Sequence, residues 1–512
     1  MTSPDSVDAA APNFSEAATD TSVIKQTLKA RAFSSASWAF IDNAAQQILS
    51  LVVFVVLGRL LSPALFGIVS TALVFVLLMR STVLNSISTG LVTLPDPIDE
   101  DYDTGFWLCV AISVVAFLIL NIAAGPIAVL YHIDDFAAVI RGTSIIVVIA
   151  GLSYAHIGWA RRNFQFRALA LRSTVSTAVG GAIGIVVALS GHGLVALVLN
   201  QVIAGLLALL LLWRAIPWRP KPRFSRIRAH AILATAVPLG ANQGLQFIAL
   251  NFDTALVTFL LGPAGGGLYA AAKRVVLAVE IALWQPMATV ALPAFAEISG
   301  DAERFSNAAV RVGRLVMALT APLFAGIALT APFAMAVLFG NKWLAAAPIM
   351  TVLATAGVFV PSLGILTQMV TALGKSSLVL LFTLLQMGLS LAAIALIGTR
   401  DPVAIALCLC VPTPVIFFVT ITALTRLTSF PLRRYLLGIG RPLACTAVMA
   451  GVVLAVPNLH AGPFAQLVVL AIVGGVTYVG AALLIAREAV QEIIGLVRSM
   501  IPQSLKTKRG MV

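Results

Sequence analysis

Long apolar runs joined by short polar connections account for most of this sequence. An α-helix of roughly 20 apolar residues crosses the hydrocarbon core of a membrane, and fourteen such runs follow one another here. Apolar residues make up 60% of the chain and charged residues 10%, whereas soluble domains contain about 25% charged residues. A water-soluble globule is therefore excluded, and we expect an all-α polytopic membrane protein with about 14 transmembrane helices. The predicted spans are 33–57, 66–90, 105–130, 137–160, 169–190, 194–213, 231–261, 267–295, 310–339, 345–373, 377–397, 402–424, 442–457 and 464–485.

The basic residues provide an independent test of this span map. Cytoplasmic loops of membrane proteins carry an excess of Lys and Arg. With a cytoplasmic N-terminus, 26 of the 33 Lys and Arg residues fall on the cytoplasmic side. The net charge of +13 is thus mainly an orientation signal, and no nucleic-acid partner is expected. One connection departs from the pattern, because the predicted cytoplasmic loop 95–103 (PDPIDEDYD) is acidic.

The span map and charge distribution predict a division of the chain into segments. The first segment is acidic, lacks basic residues and has the composition of a disordered tail. The predicted segments are a disordered cytoplasmic tail (1–24), an N-lobe with helices 1–6 (25–213), a basic cytoplasmic linker (214–230), a C-lobe with helices 7–12 (231–425), helices 13 and 14 (426–486) and a basic cytoplasmic tail (487–512).

An internal repeat with an offset of 200 residues supports the two lobes. Residues 36–72 align without a gap with 236–272, and nine positions are identical, among them Pro63 with Pro263 and Gly67 with Gly267. Six spans separate the two copies, so both insert with the same orientation. We therefore expect two parallel-repeat six-helix lobes around a central cleft, related by an axis along the membrane normal, plus two extra helices.

A small set of polar residues lies within the predicted spans. Ionisable groups at membrane depth are costly and usually face a cavity or a partner. Most of these residues fall on the repeat-related spans 1, 2, 7 and 8, which favours a polar central cleft. In an alternative interpretation, they satisfy one another in buried pairs between helices. The candidates are Asp42, Gln46, Arg80, Asn242, Gln246, Asp253, Lys273, Arg274 and Glu280.

Several stretches resemble the Wzx-type oligosaccharide flippases, or polysaccharide exporters, of the multidrug/oligosaccharidyl-lipid/polysaccharide superfamily. They cover about residues 30–430. These stretches are LGRLLSPALFGIVSTALVFVLL (57–78), DTGFWLCVAI (103–112), ARRNFQFRALALRS (160–173), LLGPAGGGLYAAAKRV (260–275), ALPAFAEISGDAERF (291–305) and FAMAVLFGNKWLAAAPIMTVLA (333–354).

The resemblance implies a transporter in the bacterial inner membrane, with no enzymatic activity or cofactor. The distribution of basic residues indicates that both termini are cytoplasmic. The substrate that the resemblance implies is an oligosaccharide repeat unit on a polyprenyl pyrophosphate, moved between leaflets by alternating access coupled to H⁺ or Na⁺. Membrane lipids, a polysaccharide polymerase and export machinery are the expected partners.

Within that framework, the polar residues receive predicted roles. A cationic cleft would replace the water lost by the pyrophosphate and sugars. We expect Arg80, Lys273 and Arg274, with Gln46, Asn242 and Gln246, to bind substrate. Asp42, Asp253 and Glu280 are expected to couple ions.

Three other functions were considered. A multidrug or cation antiporter of the same superfamily would have a more acidic and aromatic cavity and usually twelve spans. A flippase for a peptidoglycan lipid precursor is a narrower variant of the first prediction. A membrane-bound polymerase or glycosyltransferase would need a large external loop or catalytic acids at a membrane edge, and neither pattern is present. No metal site is expected, because the four cysteines lie within apolar stretches without ligand spacing.

Overall fold

The computed structural model describes residues 45–398, 400–428, 430–458 and 462–500, and these residues form helices joined by short connections. Two non-α turns interrupt the helices, a π-helical turn (Arg80–Leu84) and a 3₁₀ segment (Asn341–Ala346). The α-helices are α1 (Ala45–Leu60), α2 (Pro63–Met79), α3 (Asn85–Thr93), α4 (Asp99–Tyr131), α5 (Phe136–Arg162), α6 (Phe166–Leu189), α7 (Gly193–Ala215), α8 (Arg226–Glu297), α9 (Ala302–Phe339), α10 (Ala347–Gly357), α11 (Val360–Ala372), α12 (Ser376–Ile397), α13 (Pro402–Cys410), α14 (Pro412–Leu427), α15 (Leu432–Ala455), α16 (Pro463–Ile485) and α17 (Arg487–Met500).

The helices confirm the predicted membrane architecture. Within the described residues, 12 helical segments are long and apolar enough to cross a membrane, and α1 is a shorter apolar helix. One of the 12 segments is 59 residues long, which at about 1.5 Å per residue is well over twice the thickness of the hydrocarbon core. It bends at Gly262, whose φ of 72° is outside the helical region. Counting both halves of α8 and adding α1 gives the fourteen predicted spans.

Several span boundaries differ from the prediction because of proline. Predicted span ten is divided into α10 and α11 just before Pro361, and predicted span twelve into α13 and α14 at Pro412. Proline lacks the N–H that would continue the helical hydrogen bonds. Span thirteen begins ten residues earlier than predicted, at Leu432, and keeps Pro442 inside the helix.

The two repeats meet in a reciprocal contact. Gly67 packs so closely against the backbone of Pro263 that an added methyl group would overlap its carbonyl oxygen, and Gly267 packs in the same way against Pro63. Pro63 and Pro263, like Gly67 and Gly267, are the positions that the 200-residue offset equates. Each repeat thus uses the same surface against the other, as expected at a twofold axis. Small residues at such a crossing allow two helix backbones to approach closely.

The segment predicted as an acidic loop (95–103) ends in the first turns of α4, and its acidic residues have a structural explanation. Asp101 and Asp103 are buried, and a carboxylate oxygen of Asp103 accepts a hydrogen bond of 2.9 Å from the backbone N–H of Lys221. Trp107 donates its indole N–H to the Lys221 carbonyl at 2.9 Å. Asp101 forms an ion pair of 3.4 Å with Arg228, in the first turn of α8. These acids therefore fix the basic linker, whose last residues are already helical.

The segment predicted as a basic tail begins with a docked helix. Glu492 of α17 accepts a hydrogen bond of 2.6 Å from the mostly buried Arg314 of α9, which also contacts Glu488. Arg441 of α15 reaches Glu488 at 3.0 Å. The hydrogen bond from Arg441 and the charge of Arg314 lower the pKa of the Glu488 carboxyl, so this docking is expected to persist at neutral pH. Residues 1–44 and 501–512 lie outside the described residues.

Candidate functional site

The two halves of the chain meet where α2 and α3 run along the first half of α8. Close packing here depends on the sequence GANQG (240–244), a Gly-x-x-x-Gly pattern of the kind that lets membrane helices approach. A methyl group on Gly240 would lie 2.7 Å from the Thr82 carbonyl oxygen, and one on Gly244 would lie 2.8 Å from the Thr82 side chain. Asn85 donates a hydrogen bond of 2.9 Å to Gln243 across the same interface.

Arg80 begins the π-helical turn at this interface. The turn ends with the backbone N–H of Asn85 donating to the Arg80 carbonyl, a spacing of five residues instead of four. Such turns occur mostly as single insertions within α-helices and are frequent at functional sites. The Arg80 side chain is half-buried. It has no hydrogen bond or ion pair with any residue that the structure describes. A guanidinium at membrane depth that is paired with none of the described residues is available to an anionic ligand.

Arg274 lies between α8 and α1. Its guanidinium donates a hydrogen bond of 2.5 Å to the Ser50 hydroxyl and lies 5.9 Å from the centre of the Phe54 ring. The predicted substrate residue Gln46, also on α1, instead donates to Thr177 of α6 at 3.0 Å. Gln46 therefore joins two helices of the first repeat, while Arg274 joins the first repeat to the second.

Asp253 and Lys273 form one ion pair across the bend at Gly262. The Lys273 ammonium lies 2.7 and 2.8 Å from the two carboxylate oxygens of Asp253, and it also donates to the Leu250 carbonyl at 2.7 Å. The fully buried Tyr269 donates its hydroxyl to Asp253 at 2.7 Å. The two side chains were predicted to have separate roles, but the structure joins them in one network.

The remaining candidates are spread along α8 or lie outside the described residues. Glu280 is half-buried and, like Arg80, forms no hydrogen bond or ion pair with the residues that the structure describes. It follows Lys273 by two helical turns, near enough for electrostatic interaction. Gln246 donates to Asn242 at 3.1 Å on an exposed face. Asp42 lies outside the described residues.

The ion pair between Asp253 and Lys273 can be tested by its effect on stability. Asp253→Asn should lower the free energy of unfolding by roughly 3 kcal/mol, since removing one partner of a buried pair leaves the other charge uncompensated. Asp253→Asn combined with Lys273→Met should recover most of that loss. Thermal unfolding of the purified protein measures both effects, with Asp134→Asn in an exposed turn as the control. A double variant no more stable than Asp253→Asn would contradict the pairing.

Three residues of this site were not among the predicted binding and coupling residues, although Asn85 and Gln243 lie on predicted polar spans. Gln243 and Asn85 hold the interface between the repeats, and Tyr269 completes the Asp253 network. The Gly-x-x-x-Gly pattern around Gln243 was the sequence signal for that interface. No comparable signal exists for Tyr269, because its partner is on the other side of a bend.

Comparison with known proteins places these features in a family. Residues 56–348 match the family of polysaccharide biosynthesis proteins. The succinoglycan biosynthesis transport protein ExoT of Rhizobium meliloti is 26% identical over 91% of this chain and 96% of its own length. The lipopolysaccharide biosynthesis protein WzxC of Escherichia coli is 22% identical over 65% of this chain and 68% of its own length.

Solved structures share the fold. The lipid II flippase MurJ in an inward closed conformation superposes with a TM-score of 0.71, at 13% identity, over 88% of this chain and 99% of its own. A multidrug resistance MATE family transporter in an inward-facing conformation gives a TM-score of 0.52, at 17% identity, over 76% of this chain and 95% of its own. The fold is therefore that of helical transporters. The family match over more than half of its length shows that the chain belongs to the family of polysaccharide biosynthesis proteins.

Proposed function

We propose that this protein moves an oligosaccharide repeat unit linked to a polyprenyl pyrophosphate from the inner to the outer leaflet of the bacterial inner membrane. The product supplies the assembly of an exopolysaccharide, capsule or O-antigen. The observation that carries the proposal is the ExoT similarity over nearly the whole chain, combined with a membrane-depth arginine, Arg80, that has no partner among the described residues. MurJ shares the fold at lower identity, so a peptidoglycan precursor is the less favoured substrate.

The site suggests a division of roles. Arg80 and Arg274 attract the pyrophosphate or acidic sugars, because both guanidinium groups lie where the repeats meet and neither has a carboxylate partner in the described part of the chain. Moving a pyrophosphate past about 30 Å of hydrocarbon requires such replacements for water. Gln46, Asn242 and Gln246 supply hydrogen bonds to sugars when the lobes rearrange.

The acids supply the coupling to an ion gradient. Glu280 has no basic partner within hydrogen-bonding distance in the described residues, so it exchanges a proton or binds Na⁺ more readily than a paired acid. Lys273 holds Asp253 in the present state. We infer that anionic substrate draws Lys273 away and leaves Asp253 to take up an ion, with Asp42 as a further acceptor. Substrate and ion thereby compete for the same lysine.

A gene deletion tests the proposed function. The deletion strain should lose its surface polysaccharide and accumulate the lipid-linked repeat unit, and plasmid expression of this chain should restore both. No enzymatic activity on the sugar is expected, and the polymerase and export machinery should remain able to act once transport is restored. Unchanged polysaccharide together with altered drug resistance would contradict the proposal and favour the antiporter alternative.

A further inference from the structure

A second basic region lies away from the repeat interface, between the first turns of α6 and the last turns of α7. A cavity of about 510 Å³ opens there, and Arg167, Arg172 and Arg214 line it. The transport candidates that the structure describes lie on α1, the π-helical turn and α8, and none of them lines this cavity.

The walls of the cavity are apolar and face outward. Leu171, Val175 and Leu211 line it, and the first two are 52% and 43% exposed. In a chain that spans a membrane, such exposed side chains contact lipid tails. Farther along the same helix pair, the backbones approach closely, since a methyl group on Gly180 would lie 2.8 Å from the Asn200 carbonyl oxygen. The cavity opens where the larger side chains of Leu171, Val175 and Leu211 stand in place of small residues such as Gly180.

The arrangement fits an amphiphile with one anionic end. Arg167 is one residue inside the start of α6 and Arg214 one residue before the end of α7, so both lie at the depth of lipid headgroups. Arg172 lies about one and a half turns deeper, beside Leu171. Guanidinium groups bind phosphate through paired hydrogen bonds, and basic pockets between transmembrane helices on the cytoplasmic side bind anionic lipid headgroups.

We propose that this cavity binds an anionic phospholipid of the cytoplasmic leaflet. Its phosphate lies among Arg167, Arg172 and Arg214, and an acyl chain lies along Leu171 and Val175. A zwitterionic lipid with the same chains binds more weakly, because its amine adds a positive charge next to the three arginines. The proposal does not depend on the transported substrate, and a failure of lipid binding here would leave the proposed function unaffected.

Lipid binding by the purified, delipidated full chain tests the proposal. Native mass spectrometry should show dioleoylphosphatidylglycerol bound at least tenfold more tightly than dioleoylphosphatidylethanolamine. Combining Arg167→Gln, Arg172→Gln and Arg214→Gln should abolish that preference. Combining Arg226→Gln, Arg433→Gln and Arg434→Gln removes the same charge elsewhere on the cytoplasmic side and should preserve it.

Competing ligands and single variants distinguish a phospholipid from other possible occupants of the cavity. Inorganic pyrophosphate should not displace the phospholipid, and undecaprenyl pyrophosphate should bind no more tightly than phosphatidylglycerol. Displacement by pyrophosphate, stronger binding of the polyprenyl lipid, equal binding of both phospholipids or equal losses in the two triple variants would each overturn the proposal. Arg214→Gln alone changes one exposed side chain and should give a partial loss. Leu211→Trp fills the cavity without changing charge and should reduce binding of both phospholipids.

Discussion

Replacing Arg80 by alanine is expected to lower the transport rate by about tenfold to a hundredfold while leaving the protein folded. A hydrogen bond to a charged group contributes about 1.5–3 kcal/mol, and each 1.4 kcal/mol corresponds to about a factor of ten. Because Arg80 has no partner among the described residues, its removal leaves none of the described carboxylates unpaired. The loss should therefore appear in transport and leave thermal stability near that of the original chain.

The comparison variants identify the role of the charge. Arg80→Lys keeps a positive charge but loses the planar, paired hydrogen bonds of guanidinium, so it should retain an intermediate rate. Arg141→Ala removes an exposed arginine of α5 and should have no effect. The readout is surface polysaccharide in a deletion strain at matched expression. Full activity of Arg80→Ala would exclude Arg80 from substrate binding.

Gly67→Ala is expected to destabilise the fold by at least about 3 kcal/mol. The added methyl group would overlap the Pro263 carbonyl oxygen, and a backbone atom cannot move aside by changing rotamer. Overpacking of this kind typically costs about 1–3 kcal/mol, and more where the backbone must shift. Gly267→Ala should have the same effect, because it meets Pro63 in the same way.

A second glycine provides the control for this prediction. Gly388, in α12, has open space where a methyl group would be added, so Gly388→Ala should stabilise its helix by about 0.5–1 kcal/mol. The combined effect of Gly67→Ala and Gly267→Ala should be smaller than the sum, since both act on one contact. Thermal unfolding in detergent measures all four variants. A Gly67→Ala protein as stable as Gly388→Ala would mean that the two repeats do not meet at this point.

The span count and the repeat were predictable from the sequence because both depend on local patterns. Hydropathy marks each crossing, and the 200-residue offset equates Gly67 with Gly267. That the two repeats meet at these glycines was not predicted. The bend at Gly262 could be expected from GPAGGG (262–267) as a turn. The helical continuity of α8 through that turn could not, since it depends on how the two halves pack.

Pairings between distant residues were beyond prediction. Asp253 and Lys273 could be assigned to the right depth, but their contact depends on the angle between the two halves of α8. The acidic loop disagreed with the charge rule because its partner, the linker at Lys221, lies 118 residues from Asp103. Arg80 was identified by its depth alone, and the π-helical turn that starts there has no simple sequence signature.

The leaflet position of the lipid-linked repeat unit tests the central claim most directly. Right-side-out membrane vesicles can be treated with periodate under conditions in which it does not enter, so that only sugars in the outer leaflet are oxidised. With the chain present, a large fraction of the lipid-linked sugar should be oxidised. Without it, or with Arg80→Ala, that fraction should fall close to zero while the total amount rises. An unchanged outer-leaflet fraction in the absence of the chain would contradict its assignment as the transporter.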